Sequence, residues 1–178
     1  MDSSAALILR AAAFAAEKHR DQRRKGAEAS PYINHPIAVA RLLANEGGIG
    51  DGAVLAAALL HDTIEDTDTS AAELAKQFGE DIAHIVVEVT DDKARSRAER
   101  KQQQIERAAH ISDRAKLVKL ADKICNLRDM RSSPPAGWSP ERRREYFDWA
   151  KQVVDGLRNG VNPSLEALFD AAYAERPA

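Results

Sequence analysis

Apolar residues recur every three or four positions along most of this chain of 178 residues. That spacing is typical of amphipathic helices, whose apolar side chains form a stripe along one face. Alternating runs of β-branched residues, which would indicate half-buried strands, are missing from the sequence. The pattern therefore predicts an all-α fold without a β-sheet.

Capping residues, glycines and prolines mark the ends of the predicted helices. The first helix is predicted over residues 4–22, ahead of a basic run at residues 23–25. Pro36 suits the first turn of the next helix, and it biases His35 toward an extended conformation at the entrance of that helix. Later helix starts are predicted at Asp51, at Ser70 with Glu73 as a capping box, at Ser112 or Asp113, at Ser139 before Pro140, and at Ser164.

Two segments depart from the amphipathic pattern. Residues 53–60 are apolar on every side, which predicts a central and fully buried helix. Residues 91–107 are highly charged, which predicts a mobile connection followed by a solvated helix.

Composition narrows the class of protein. The length fits a single domain over residues 1–178, and 44% hydrophobic with 30% charged residues is ordinary for a globular protein. A formal net charge of -2 disfavours a general binder of nucleic acids or membranes. There is no basic leader, and the longest apolar run, residues 53–60, is too short to cross a bilayer. Cys125 is the single cysteine, so that no disulfide can form within one chain, and we expect a cytoplasmic location.

The strongest chemical signal is the segment LLHDTIEDTD at residues 59–68, where an apolar helix runs into a histidine and four carboxylates. Burying such groups without partners is costly. On a continuous helix His61 would lie above Glu65, and Asp62 above Asp66, so these side chains would share one side. A divalent cation is the natural object for them to hold.

Residues elsewhere in the chain complete a candidate metal site. His35 stands at a helix entrance, Asp122 interrupts an otherwise apolar stripe, and Asn126 lies one turn beyond Asp122. Each of these could alone be a cap or a solvent-facing residue. Together, two imidazoles and two carboxylates suit manganese, iron or zinc and leave positions open for water and substrate.

The order His35, His61-Asp62, Asp122 resembles the metal motif of the HD superfamily. Four flanking segments resemble the hydrolase domain of RelA/SpoT-type alarmone enzymes, above all the single-domain metazoan and bacterial small alarmone hydrolases. They are PYINHP at residues 31–36, ALLHDTIEDT at 58–67, EVTDDK at 88–93 and KLVKLADK at 116–123. The resemblance covers about residues 14–157 and implies a single helical bundle of about 8 to 10 helices.

The resemblance also implies an activity and the residues that perform it. The activity is hydrolysis of guanosine 3′,5′-bis(diphosphate), ppGpp, to GDP and pyrophosphate with one manganese ion per chain, zinc or iron being possible substitutes. The ion would be held by His35, His61, Asp62 and Asp122, with Glu65 and Asp66 as the catalytic acidic pair. The implied nucleotide contacts are Arg24, Lys25, Arg97, Asn126, Arg142 and Tyr146.

Two alternatives to this function stay open. The same metal site could serve a phosphatase of another nucleotide, including removal of the 2′-phosphate of NADPH, or the fold could be a nucleotide sensor without chemistry. The sequence ends at residue 178, so we expect no synthetase domain, a small-molecule nucleotide partner and hydrolysis only. The oligomeric state is left open. Phe147, Trp138 and Trp149 are expected to pack the core or a lid over it, and Cys125 to serve packing alone.

Overall fold

The computed structural model describes residues 4–158 and 161–178, and this part of the chain folds into helices only. The predicted all-α fold is confirmed, and the ten helices found there agree with the expected number. Isolated bridges join Arg23 to Pro31 and Gly26 to Pro135. In chain order the helices are α1 (Ser4–Lys18), α2 (Asn34–Asn45), α3 (Gly52–Leu60), α4 (Thr63–Asp66), α5 (Ala71–Phe78), α6 (Glu80–Val89), α7 (Arg97–Arg107), α8 (Asp113–Ser132), α9 (Pro140–Leu157) and α10 (Pro163–Ala174).

Helix α3 is the centre of the bundle. Every residue from Val54 to Leu60 is buried, as the all-round apolar sequence predicts. The helices α1, α2, α6 and α8 pack around it. Because α3 is enclosed in this way, the polar residues at its C-terminal end point into the interior rather than into solvent.

Most of the predicted caps are in place. Asp51 accepts a hydrogen bond from the Ala53 amide at the start of α3, and Ser112 and Ser139 cap α8 and α9 through side-chain oxygens. Ser70 caps α5, but only half of its predicted capping box forms, because Glu73 pairs with Lys18 instead.

Three local predictions are wrong. The first helix ends at Lys18, because the chain folds back so that the Tyr32 amide donates to the Gln22 carbonyl. His35 is helical rather than extended, since α2 begins one residue before it; Pro36 then occupies the first turn, where its missing N–H costs nothing. The last helix is capped by Asn162 and not by Ser164.

Helix α7 is the solvated helix expected in the charged segment. None of its residues is buried, and a full capping box of Ser96 and Glu99 begins it. It lies against α9. Within the described residues, no helix has the length and apolarity needed to cross a membrane.

Candidate metal centre and active site

The fold brings together predicted metal ligands from three separate places in the chain. His35 comes from the first turn of α2, His61 and Asp62 from the turn between α3 and α4, and Asp122 from the middle of α8. Potential ligand atoms of the first three lie within 4.8 Å of one another. Asp122 Oδ1 lies 3.0 Å from His35 Nε2 and 3.7 Å from His61 Nε2.

The hydrogen bonding of His61 shows that these residues fit a cation. Its Nδ1 lies 2.7 Å from the carbonyl oxygen of Ala58, which can only accept, so Nδ1 carries a proton. Nε2 lies 3.0 Å from Asp62 Oδ2, yet it is buried and makes no hydrogen bond to the described residues. In the neutral ring, this arrangement points a lone pair at a carboxylate, which is stable only with positive charge between them.

The charge balance at His61 leads to the same result. Burial by itself lowers the pKa of His61, but the negative charges of Asp62 and Asp122 outweigh burial and raise the pKa to about 10. An electrostatic field that holds a proton so firmly also favours a divalent cation at the same nitrogen.

A second layer of side chains holds the predicted ligands in place. The Tyr32 hydroxyl donates to Asp62 Oδ2 at 2.6 Å, and burial with the Asp62 charge raises the pKa of Tyr32, so that it remains a donor. Asn126 Nδ2 donates to Asp122 Oδ1 at 2.6 Å, while Lys123 Nζ lies 3.2 Å from Asp122 Oδ2. Sequence reasoning missed Tyr32 and Lys123, although both lie inside the segments that carry the family resemblance.

The predicted acidic pair is divided between two environments. Glu65 lines the same cavity as the metal ligands and accepts a hydrogen bond from the Asp91 amide at 3.1 Å. Burial, followed by the Asp91 charge, raises the pKa of Glu65. Asp66 is not among the residues that line the cavity, and it accepts from Gln22 at 2.9 Å and from Lys93 at 2.7 Å. The single helix expected to carry His61 above Glu65 and Asp62 above Asp66 is wrong, because α3 ends at Leu60 and α4 begins only at Thr63.

The predicted nucleotide contacts fall into two groups. Arg24 and Asn126 adjoin the metal ligands, because Arg24 donates to Asn126 Oδ1 at 3.1 Å and Asn126 lines the cavity. Arg24 also pairs with Asp129 at 2.6 Å. Lys25 is exposed on the same loop, with its carbonyl accepting from the Ala136 amide at 3.2 Å.

The second group surrounds Trp138. The guanidinium carbons of Arg142 and Arg97 lie 4.2 Å and 5.6 Å from the centre of its ring. The Tyr146 ring lies between Trp138 and Trp149, at 6.0 Å and 5.3 Å. This half-buried tryptophan therefore brings together three residues that were predicted from separate positions in the sequence.

Two residues expected to serve packing do so. Phe147 is fully buried within the core. Cys125 is buried on α8, and burial raises the pKa of its thiol to about 12, so that it stays protonated and unreactive at neutral pH.

Comparison with known proteins now gives this site a context. The profile of the HD domain matches residues 11–150. The chain belongs to the HD-domain family. An HD domain implies a divalent metal, and His35, His61 and Asp62 form a site in this structure that can hold one.

Individual HD-domain relatives match over nearly the whole chain. The guanosine-3′,5′-bis(diphosphate) 3′-pyrophosphohydrolase MESH1 of Xenopus tropicalis is 58% identical over 99% of this chain and 98% of its own length. The human protein of the same name is 56% identical over 99% and 98%. A solved structure described as a metazoan ortholog of SpoT that hydrolyses ppGpp matches with a TM-score of 0.93 and 50% identity, covering 99% of this chain and 97% of its own.

Proposed function

We propose that this HD domain is a guanosine-3′,5′-bis(diphosphate) 3′-pyrophosphohydrolase that converts ppGpp to GDP and pyrophosphate. The observation that carries the proposal is the identity of 56% to 58% with proteins of that name over 99% of the chain. The cavity adds independent support, because it combines buried nitrogen and oxygen ligands with a carboxylate outside the ligand set.

The metal of the proposed enzyme is manganese, held by His35, His61, Asp62 and Asp122. Two imidazole nitrogens and two carboxylates suit manganese, with zinc and iron as alternatives for the same donor set. A divalent cation bound there makes water a stronger nucleophile at neutral pH and offsets the charge of phosphoryl oxygens. Tyr32 and Asn126 keep the two carboxylates oriented toward it through hydrogen bonds of 2.6 Å each.

Glu65 is the residue to which we assign the proton of the attacking water. It lies in the cavity, and a carboxyl with a raised pKa is a better proton acceptor near neutral pH than an ordinary one. We assign Asp66 to the same task as the second member of the pair. In this structure its carboxylate is held by Gln22 and Lys93 and is not part of the cavity lining, so it would have to turn from these partners to act there.

Cationic and aromatic side chains fit the remainder of the substrate. Arg24 bonds to Asn126 of the cavity lining and precedes Lys25, while Arg97 and Arg142 lie against Trp138. These four cationic side chains suit a nucleotide with two separate pyrophosphate groups. Tyr146 and Asn126 are the proposed neutral contacts, Asn126 with the ribose.

Product analysis tests the proposed function. Purified protein loaded with manganese is incubated with ppGpp and, separately, with NADPH, and the products are separated and quantified. We expect GDP and pyrophosphate from ppGpp, and no turnover after the metal is removed with a chelator. Inactivity on ppGpp with release of phosphate from NADPH would replace the proposal by the NADPH phosphatase, and inactivity on both would favour a sensor.

A further inference from the structure

Asp91 connects the proposed catalytic carboxylate to a separate helix. Its amide donates to Glu65 Oε2 at 3.1 Å, and its own carboxylate accepts from Gln104 Nε2 of α7 at 2.5 Å. Asp91, Glu65 and Gln104 all line the metal cavity. Neither Asp91 nor Gln104 has a place among the ligands, the acidic pair or the predicted nucleotide contacts.

The direction of the Gln104 contact is fixed by chemistry. A carboxylate only accepts, so the amide nitrogen of Gln104 must face Asp91. The amide oxygen is buried, with no hydrogen bond from the described residues. Gln104 is half-buried on α7, a helix without any fully buried residue, and its one described side-chain bond is the bond to Asp91.

The charges around Glu65 come from three directions. Asp91 follows α6, Asp62 precedes α4, and Lys119 comes from α8. Lys119 Nζ donates to the Val89 carbonyl at 2.9 Å and lies 3.9 Å from Asp91 Oδ1, so it reaches the same loop as Gln104. The loop that begins with Asp91 is therefore held from α7 and from α8, while its first amide holds Glu65.

We propose that Asp91 and Gln104 are positioning residues for hydrolysis: Gln104 fixes the Asp91 loop, and the Asp91 amide fixes the orientation of the Glu65 carboxylate. The inference rests on the proposed function, because it assumes that Glu65 accepts the proton of the attacking water. Helix α7 also carries Arg97, a proposed nucleotide contact. The bond from Gln104 to Asp91 therefore connects the helix that would contact the nucleotide with the loop that holds Glu65.

Substitution on α7 tests the Gln104 contact. We expect Gln104→Leu to lower kcat for ppGpp by about tenfold or more, which is the range typical of residues that orient the groups of a metal site through hydrogen bonds. KM and the melting temperature should stay nearly unchanged. Gln102→Leu is the matched control, because Gln102 is exposed on the same helix and bonds only to Glu106 among the described residues. Equal kcat in the two variants would overturn the role of Gln104.

Two substitutions of Asp91 separate its bonds from its charge. Asp91→Asn keeps an acceptor for Gln104, whereas Asp91→Ala removes it, so we expect kcat at the pH optimum to fall mainly in the alanine variant. Removing the negative charge of Asp91 also lowers the pKa of Glu65. The acidic limb of the pH–rate profile should therefore move to lower pH in Asp91→Asn, which a purely structural role would not produce.

A measurement without substrate keeps the two proposals distinguishable. The Glu65 carboxyl carbon is followed by NMR during pH titration of the zinc-loaded protein, with the signal assigned by its loss in Glu65→Gln. A lower midpoint in Asp91→Asn supports the contact even if the wild type fails to hydrolyse ppGpp, which would refute only the proposed function. An unchanged midpoint, or wild-type turnover with full activity in Gln104→Leu and Asp91→Ala, would overturn the inference.

Discussion

The Nδ1–H of His61 donates to the carbonyl oxygen of Ala58, one turn earlier in the chain, at 2.7 Å. The last turn of the buried helix α3 thereby fixes both the tautomer and the direction of the ring. Its Nε2 is left facing Asp62 at 3.0 Å and Asp122 at 3.7 Å. The candidate metal site is thus oriented by the backbone of the buried helix α3.

Removal of a metal ligand should empty the site. Loss of a residue that only hydrogen-bonds to a metal ligand typically lowers metal affinity by about 10–100-fold, and loss of the ligand itself should cost more. We therefore expect His61→Ala and Asp122→Ala to retain almost no bound metal in elemental analysis after gel filtration. His84→Ala is the matched control, because His84 is exposed on α6. A full equivalent of metal in either ligand variant would refute the ligand set.

The acidic pair should be needed for turnover but not for metal binding. Glu65→Gln combined with Asp66→Asn is expected to abolish ppGpp hydrolysis, and Glu65→Gln alone to lower kcat by about 10²–10⁴-fold, the contribution typical of general bases. Because Asp66 lies off the cavity lining, we expect a smaller loss from Asp66→Asn. Undiminished turnover in the double variant would contradict the catalytic assignment; Asp68→Asn serves as a surface control.

The hydroxyl of Tyr32 should strengthen metal binding. Tyr32→Phe removes the 2.6 Å hydrogen bond to Asp62, so we expect the manganese affinity, measured by calorimetry, to fall by about 10- to 100-fold. Tyr173→Phe is the control, because it removes a comparable hydroxyl–carboxylate bond, to Asp148 at 3.0 Å, between α10 and α9. If both variants bind manganese equally well, Tyr32 has no role in holding Asp62 for the metal.

Glu65 should destabilise the metal-free protein at high pH. Its pKa in the folded state lies above its ordinary value of 4.5, so the unfolded state favours the ionised form more strongly. Below the unfolded pKa the group is protonated in both states and carries no penalty; the penalty grows as pH rises and is complete above the folded pKa. We therefore expect Glu65→Gln to melt at a higher temperature than the wild type at pH 8.

Near pH 4 the difference in melting temperature between Glu65→Gln and the wild type should disappear. Both measurements are made with a chelator present, so that the protein is free of metal. Glu106→Gln, an exposed change of the same kind on α7, should show no such pH-dependent gain. A gain in stability from Glu65→Gln that is equal at both pH values would argue against a raised pKa.

Trp138 should influence binding of the nucleotide more than the chemical step. We expect Trp138→Leu to raise KM for ppGpp several-fold, because contacts worth about 0.5–2 kcal/mol each would no longer hold the guanidinium groups of Arg142 and Arg97. Trp138→Phe retains an aromatic face and should restore most of the loss. A fall in kcat at unchanged KM would instead place Trp138 nearer the reacting atoms.

Features that depend on neighbours in the chain could be predicted from the sequence. The all-α fold, the buried helix α3 and the caps at Asp51, Ser112 and Ser139 follow from residues within about one turn of each other. Where such local signals competed, the predictions were wrong. Ser164 has the chemistry of a cap, but Asn162 lies directly before Pro163 and takes that position.

The site divides along the same line. The sequence by itself determined which residues can bind a divalent cation, because His and Asp are ligand types and their flanking segments resemble a known family. Only the tertiary structure decided that His35 meets Asp122, 87 residues away, that Asp66 turns toward Gln22 and Lys93, and that Asp91 connects Glu65 to Gln104. These contacts depend on how α3, α7 and α8 pack, and helix periodicity contains no information about the distance between one helix and another.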